Sequence, residues 1–126
     1  MTSVLDASAL LVVLHDEAGA ATVEPLLEGA AISSVNWSEV VQKAVSRGLD
    51  VSRLREEVEA LGVRIATFDA DAAEATARLW SATKNAGLSL GDRACLALAG
   101  ALGVTAVTAD RAWASLNTAI TVQLVR

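Results

Sequence analysis

Five short apolar runs rich in β-branched residues alternate along this chain with segments of helical spacing, and no tight hairpin sequence joins any two of the runs. The runs are Ser3-Val4-Leu5, Ala31-Ile32-Ser33, Val63-Arg64-Ile65, Val104-Thr105-Ala106-Val107 and Ile120-Thr121-Val122, and they predict five strands. Helical spacing is carried by Ala9–His15, Ala20–Leu27, Trp37–Arg47, Val51–Leu61, Ala70–Asn85 and Asp92–Leu102. Such alternation predicts an α/β fold, a mostly parallel sheet of about five strands sandwiched by helices. In open sheets of this kind ligands gather outside the carboxyl ends of the strands. Chemistry is to be sought along that edge.

The 126 residues suit one domain, expected to span 1–126. Apolar residues reach 53% and charged ones 20%, which is apolar for a small soluble chain, so some of that surface is expected to meet a partner. The most apolar stretch, Cys95 to Val107, is broken by Gly100, Gly103 and Thr105 and falls short of the roughly 20 residues that span a bilayer. Met1 to Leu14 carries no Lys or Arg and places Asp6 ahead of its apolar run, so it does not read as a signal peptide. A cytosolic, membrane-free protein is expected. Cys95 alone excludes an internal disulfide, and His15 alone leaves no His/Cys cluster for zinc. The net charge of −5 has the wrong sign for holding nucleic acid unless cations neutralise part of it.

Many acids have a sufficient local role. Asp50 and Ser52 offer oxygens to cap the Val51 helix, and Asp69 with Asp71 opens the next one. Glu56, Glu57, Glu59 and Glu74 fall on polar helix faces. Four others sit at element junctions. Asp6 ends the first run, Glu39 lies three residues after Asn36 in a pattern resembling a capping box with Asn36 as N-cap, Asp92 opens a very apolar helix, and Asp110 follows the fourth run as Asp6 follows the first. Helix capping can account for each one separately.

Together, these four would converge if strands one, two and four are neighbours. Two carboxylates about 5 Å apart repel by roughly 3 kcal/mol at an effective dielectric near 20, so a cluster needs cations or protons. Hard oxygen donors suit magnesium or manganese, and coordination keeps the carboxylates ionised.

The chain resembles the PIN domain family, and within it the VapC-type toxins, over its whole length. The resemblance is carried by Val4-Leu5-Asp6-Ala7-Ser8-Ala9-Leu10-Leu11, by Val35-Asn36-Trp37-Ser38-Glu39-Val40, by Leu88-Ser89-Leu90-Gly91-Asp92-Arg93-Ala94-Cys95, and by Val107-Thr108-Ala109-Asp110-Arg111-Ala112-Trp113, in that order. It implies a three-layer α/β/α fold and a metal cluster of Asp6, Glu39, Asp92 and Asp110, supported by the hydroxyls of Ser8 and Thr108. Some family members carry a further acid after the fourth motif, where this chain has Asn117. The implied activity is hydrolysis of RNA phosphodiester bonds by metal-activated water, with one or two Mg2+ or Mn2+ ions. The implied partners are RNA, a cognate VapB-type antitoxin and a second copy of the chain.

One divalent cation would bring the formal charge of −5 to about −3, and two would bring it to about −1. Lys43 and Arg47 lie four and eight residues beyond Glu39, and Arg93 and Arg111 directly follow two of the acids, which makes these four candidates for phosphate contacts, with surface ion pairs as the plain alternative. Trp37, Trp80 and Trp113 are left to packing as readily as to base stacking, Cys95 to the core, and His15 to a structural or solvent-facing position.

Rival classes fare worse. A phospho-acceptor domain expects paired acids after its first strand and a lysine after a late one, neither of which is present. A haloacid-type phosphatase would need its second aspartate where Ser8 stands. No phosphate loop or dinucleotide glycine fingerprint occurs. A catalytically silent PIN-type interaction module is the remaining alternative, against which the four intact acids argue.

Overall fold

The computed structural model describes residues 1–126. Five strands, β1 (Ser3–Leu5), β2 (Ala30–Ser33), β3 (Arg64–Ala66), β4 (Thr105–Thr108) and β5 (Val122–Leu124), form one sheet in the order β3-β2-β1-β4-β5, with every pair parallel. The α/β expectation is met, and strands one, two and four are neighbours, the condition under which their acids could gather. Seven helices connect and cover the strands: α1 (Ala7–Leu14), α2 (Ala20–Val23), α3 (Ser34–Ser46), α4 (Leu54–Ala60), α5 (Ala70–Arg78), α6 (Trp80–Thr83) and α7 (Leu90–Leu102).

Alternation along the strands divides the core into two layers. Leu5, Ile32 and Val107 point to one face and pack with Leu10, Val40 and Val58 from α1, α3 and α4. Their neighbours Val4, Ala31 and Ala106 point to the other face, against Cys95, Leu96 and Ala99 of α7 and against Trp113. Both faces of β1 and β2 are fully buried, which is why their runs are continuously apolar.

Several boundaries differ from expectation for local reasons. The 70–85 segment breaks after Arg78, where Thr76 and Thr83 return hydroxyl hydrogen bonds to the carbonyls of Ala72 and Leu79, a pattern that bends helices. Asp50 accepts from Ser52 N in a local turn and caps nothing, so α4 begins at Leu54. The last strand lies two residues later than its β-branched run, because Ile120 joins the α7-side core while Val122 takes up pairing with Ala106. Asp69 does cap α5, through Ala72 N. Trp80, for which helical packing was the ready explanation, is exposed, with Lys84 Nζ 5.1 Å from its ring centroid.

Candidate functional site

The parallel register assembles the site. Pairing of Leu5 with both Ile32 and Val107 brings the next residues, Asp6, Ser33 and Thr108, to one carboxyl edge. Asp6 is buried there at the mouth of α1. Its Oδ1 accepts from Ser8 Oγ at 2.7 Å and from Ala9 N at 2.8 Å, and its Oδ2 accepts from Thr108 Oγ1 at 2.6 Å. The same hydroxyls also accept from the exit of β4: Ser8 Oγ from Ala109 N and Thr108 Oγ1 from Asp110 N. Asp6 is therefore a helix cap and, at once, the centre of a network that ties β1 to β4. No Lys, Arg or His pairs with it.

Glu39 arrives from α3. Asn36 is not the N-cap, because Ser33 fills that position by accepting from Val35 N, and the helix starts three residues earlier than expected. Asn36 is instead buried inside the helix and spans to α7: its Nδ2 donates to Glu39 Oε1 at 3.1 Å and to Gly91 O at 2.9 Å. A Cβ on Gly91 would overlap Glu39 Oε1, so the bare glycine makes room for that carboxylate. Asp92 is the third residue of α7 and completes a capping box with Ser89, Asp92 Oδ2 accepting from Ser89 N and Ser89 Oγ from Asp92 N. Its helix thus begins at Leu90, two residues before Asp92.

Electrostatics show which acids share a field. Burial raises the pKa of Asp6, and the Asp92 charge adds to this, against the pull of the hydrogen bonds from Thr108, Ser8 and Ala9. Burial likewise raises Glu39, offset by Asn36, with Asp92 and Asp6 adding repulsion. Burial and then the charges of Asp6, Asp92 and Glu39 push Cys95 well above its ordinary value, so this thiol stays protonated and inert. Asp6, Glu39 and Asp92 therefore lie within one another's electrostatic reach beside the start of α7. Asp110 is exposed at the exit of β4, its N–H donating to Thr108 Oγ1 and its Oδ1 capping the following turn through Ala112 N.

As the side chains stand, no three Asp, Glu, His or Cys residues lie close enough together to enclose a metal ion. The donor chemistry nevertheless fits a hard divalent cation: Asp6, Glu39 and Asp92 are oxygen donors, mutually repelling and free of basic partners. Among the basic candidates, Lys43 shares a cleft of about 410 Å³ with Glu39 and Ser8, and Arg47 lies beside Lys43 in the adjoining hollow. Arg93 lines neither space and its buried Nε has no partner, while Arg111 Nε reaches the Arg126 carbonyl at 3.4 Å. Trp113 is buried, and Asn117 lines a separate hollow with Asn85 and Ser115. The sequence pattern casts Asn36 as a cap rather than an internal link and gives Gly91, inside the third motif, no role of its own. A glycine in the first turn of so apolar a helix, costing up to about 1 kcal/mol against alanine, was the available clue.

The PIN domain family model matches residues 3–118. No curated protein matches the chain. Solved structures with the same architecture include a toxin–antitoxin complex from Klebsiella pneumoniae, 22% identical with a TM-score of 0.72 over 90% of this chain and 92% of that one. A DNA-bound VapBC from Salmonella typhimurium is 19% identical, with a TM-score of 0.73 over 100% of this chain and 99% of that one. VapBC-1 from nontypeable Haemophilus influenzae is 16% identical, with a TM-score of 0.71 over 98% of each chain. At these identities the likeness is one of fold.

Proposed function

The chain belongs to the PIN domain family, and from that premise we propose that it is a divalent-metal-dependent ribonuclease, the toxin of a VapBC-type toxin–antitoxin pair. The observation that carries the reading is Asp6: a buried carboxylate with no basic partner, held by two hydroxyls and a backbone amide within the field of Asp92. Stability alone would favour an uncharged residue here, because taking an unpaired carboxylate out of water is costly. Its persistence supports a site kept ready for a cation.

In this reading Asp6, Glu39, Asp92 and Asp110 hold one or two Mg2+ or Mn2+ ions. Bound there, such an ion supplies Lewis acidity to a phosphate oxygen and eases deprotonation of the attacking water. The chain's own residues set the stage. Ser8 and Thr108 hold both Asp6 oxygens, Asn36 aims one oxygen of Glu39, and the Ser89 amide holds one oxygen of Asp92. Lys43 lines the same cleft as Glu39, where its ammonium takes a phosphate flanking the cut. The polar edge is open to solvent at Glu39 and Asp110, as a polymeric substrate requires.

The named neighbours are VapBC and other toxin–antitoxin complexes, which supports a VapB-type antitoxin as partner. Exposed Val45, Leu49, Leu61 and Leu90 offer apolar surface to that partner or to a second copy. No helix is long and apolar enough to cross a membrane, and we propose the cytosol as the site of action.

The test is to incubate antitoxin-free protein with total cellular RNA and Mg2+ or Mn2+, beside EDTA and Asp6→Asn controls. Discrete fragments that vanish in both controls are expected. Folded protein that cuts nothing with either ion would point instead to an interaction module.

A further inference from the structure

The cleft beside Glu39 does not end there. A second hollow of about 310 Å³ shares Ser8, Leu11 and Lys43 with it and continues to His15, Arg47 and Arg126, so the two make one groove between α1 and α3. On a chain of net charge −5, this groove gathers Lys43, Arg47 and Arg126. Lys43 and Arg47 have no ionic partner, whereas Arg53 and Arg55 of the same protein are paired with Glu56 and Glu59. Glu39, Lys43 and Arg47 succeed one another at four-residue steps, about 6 Å each along the α3 axis. Unpaired positive charge laid out in a row from the acid edge fits an extended polyanion better than a single small anion.

The lining also says which part of the polyanion is gripped. Trp37 opens on a different hollow with Arg55 and Ile65, Trp113 is buried, and Trp80 lies on α6. With no tryptophan along it and the His15 imidazole its one flat ring, the groove offers charge for backbone phosphates rather than a stacking platform for successive bases.

One charge in the groove is already occupied. Asp16, with φ of 50°, turns the chain after α1 and brings Glu17 to Arg126, whose Nη1 lies 3.6 Å from Glu17 Oε1 and 3.5 Å from Ala18 O. Both side chains of this pair remain about two-fifths exposed, so it is open to exchange.

We propose that this groove is the phosphate track for single-stranded RNA flanking the cut, with Glu17 holding Arg126 as a surrogate anion that an RNA phosphate displaces. The proposal rests on the ribonuclease reading for its substrate, and adds Arg126 and Glu17 as residues that set how tightly RNA is held.

The experiment is fluorescence anisotropy of labelled oligouridylates of increasing length, in EDTA so that nothing is cut, over a series of salt concentrations, with circular dichroism to confirm folding. Arg47→Ala and Arg126→Ala are each expected to weaken binding about fivefold and to lower the slope of log K against log salt by about 0.7. Glu17→Gln is expected to tighten binding about threefold, and that gain to disappear when Arg126→Ala is added. Affinity unchanged in the arginine variants, a Glu17→Gln effect that survives loss of Arg126, or binding of an oligoglutamate peptide in place of RNA would each overturn the track. Parallel assays with Mn2+ and total RNA separate the two readings. Cleavage with no response of binding to the variants sinks the track and leaves the nuclease. Binding that follows the variants without any cleavage keeps the groove and sinks the nuclease.

Discussion

Acidic residues in this protein are treated in two opposite ways. On α4, Glu56 and Glu59 are exposed and matched with Arg53 and Arg55 at helical spacings, at 3.7 and 2.8 Å. At the sheet edge, Asp6, Glu39 and Asp92 come from three separate elements, burial with the Asp92 charge added raises the pKa of Asp6 and Glu39, and none of the three acids forms an ion pair. The first arrangement follows from nearest neighbours in sequence and is worth a few tenths of a kcal/mol per pair. The second costs stability and is maintained by packing. A fold that settles charge cheaply on one surface and leaves it unsettled on another marks the unsettled place as the functional one.

The sharpest way to break this contrast is Asp6→Asn. Its amide oxygen can still accept from Ala9 N and Ser8 Oγ, and its NH2 can donate to Thr108 Oγ1 in a reversed hydrogen bond, while the buried charge is removed, so cleavage is expected to fall by at least about 100-fold. Calorimetry of the metal-free variant should show a melting temperature higher by about 3–5 °C, which corresponds to roughly 1 kcal/mol in a domain of this size. A melting temperature that falls along with activity would make Asp6 a structural cap after all.

Gly91→Ala comes next. The added methyl meets the far end of a flexible side chain, the Glu39 carboxylate, so that group moves aside while alanine favours the helix. Cleavage is expected to drop about 30-fold and Mn2+ binding, followed by calorimetry, to weaken, with the melting temperature unchanged or slightly raised. Loss of folding would show instead that Gly91 serves packing.

A smaller effect concerns pH. Asp6 and Glu39 have folded pKa values above their ordinary 3.8 and 4.5, so between the unfolded and folded values the native state holds more protons. Stability they contribute at acid pH is lost as pH rises through that window. The metal-free protein should therefore resist urea less at pH 7 than just above pH 4.5 where these groups are concerned, and Mg2+ should recover much of the loss at pH 7. An identical Mg2+ response in Asp6→Asn would refute the assignment. Least affected of all is Arg55→Gln on α4, expected to change stability by under about 0.5 kcal/mol and cleavage not measurably, which a urea titration and the RNA assay will check.

Much of this is legible in the residues alone. Short β-branched apolar runs and 3.6-residue spacing are local, so strand existence, the helical segments, the capping acids Asp6 and Asp69 and the four junction acids can be read directly. Asn36 shows the limit. Three residues ahead of Glu39 it imitates a capping box, yet its amide bridges to Gly91, 55 positions away. Arg126 and Glu17 are 109 positions apart in the chain, and no spacing rule connects them.

Residues near one another in the chain are enough to specify an alternating α/β protein with acids just beyond its first and fourth strands, because propensity, periodicity and capping act over a few positions. It took the packed fold to bring Asp6, Glu39 and Asp92 into one another's field, and to set Lys43 and Arg47 in one groove while Arg93 and Arg111 line neither of its hollows. Coulomb forces, desolvation and hydrogen bonds act through space, and parallel strand register with helix packing chooses which residues become neighbours.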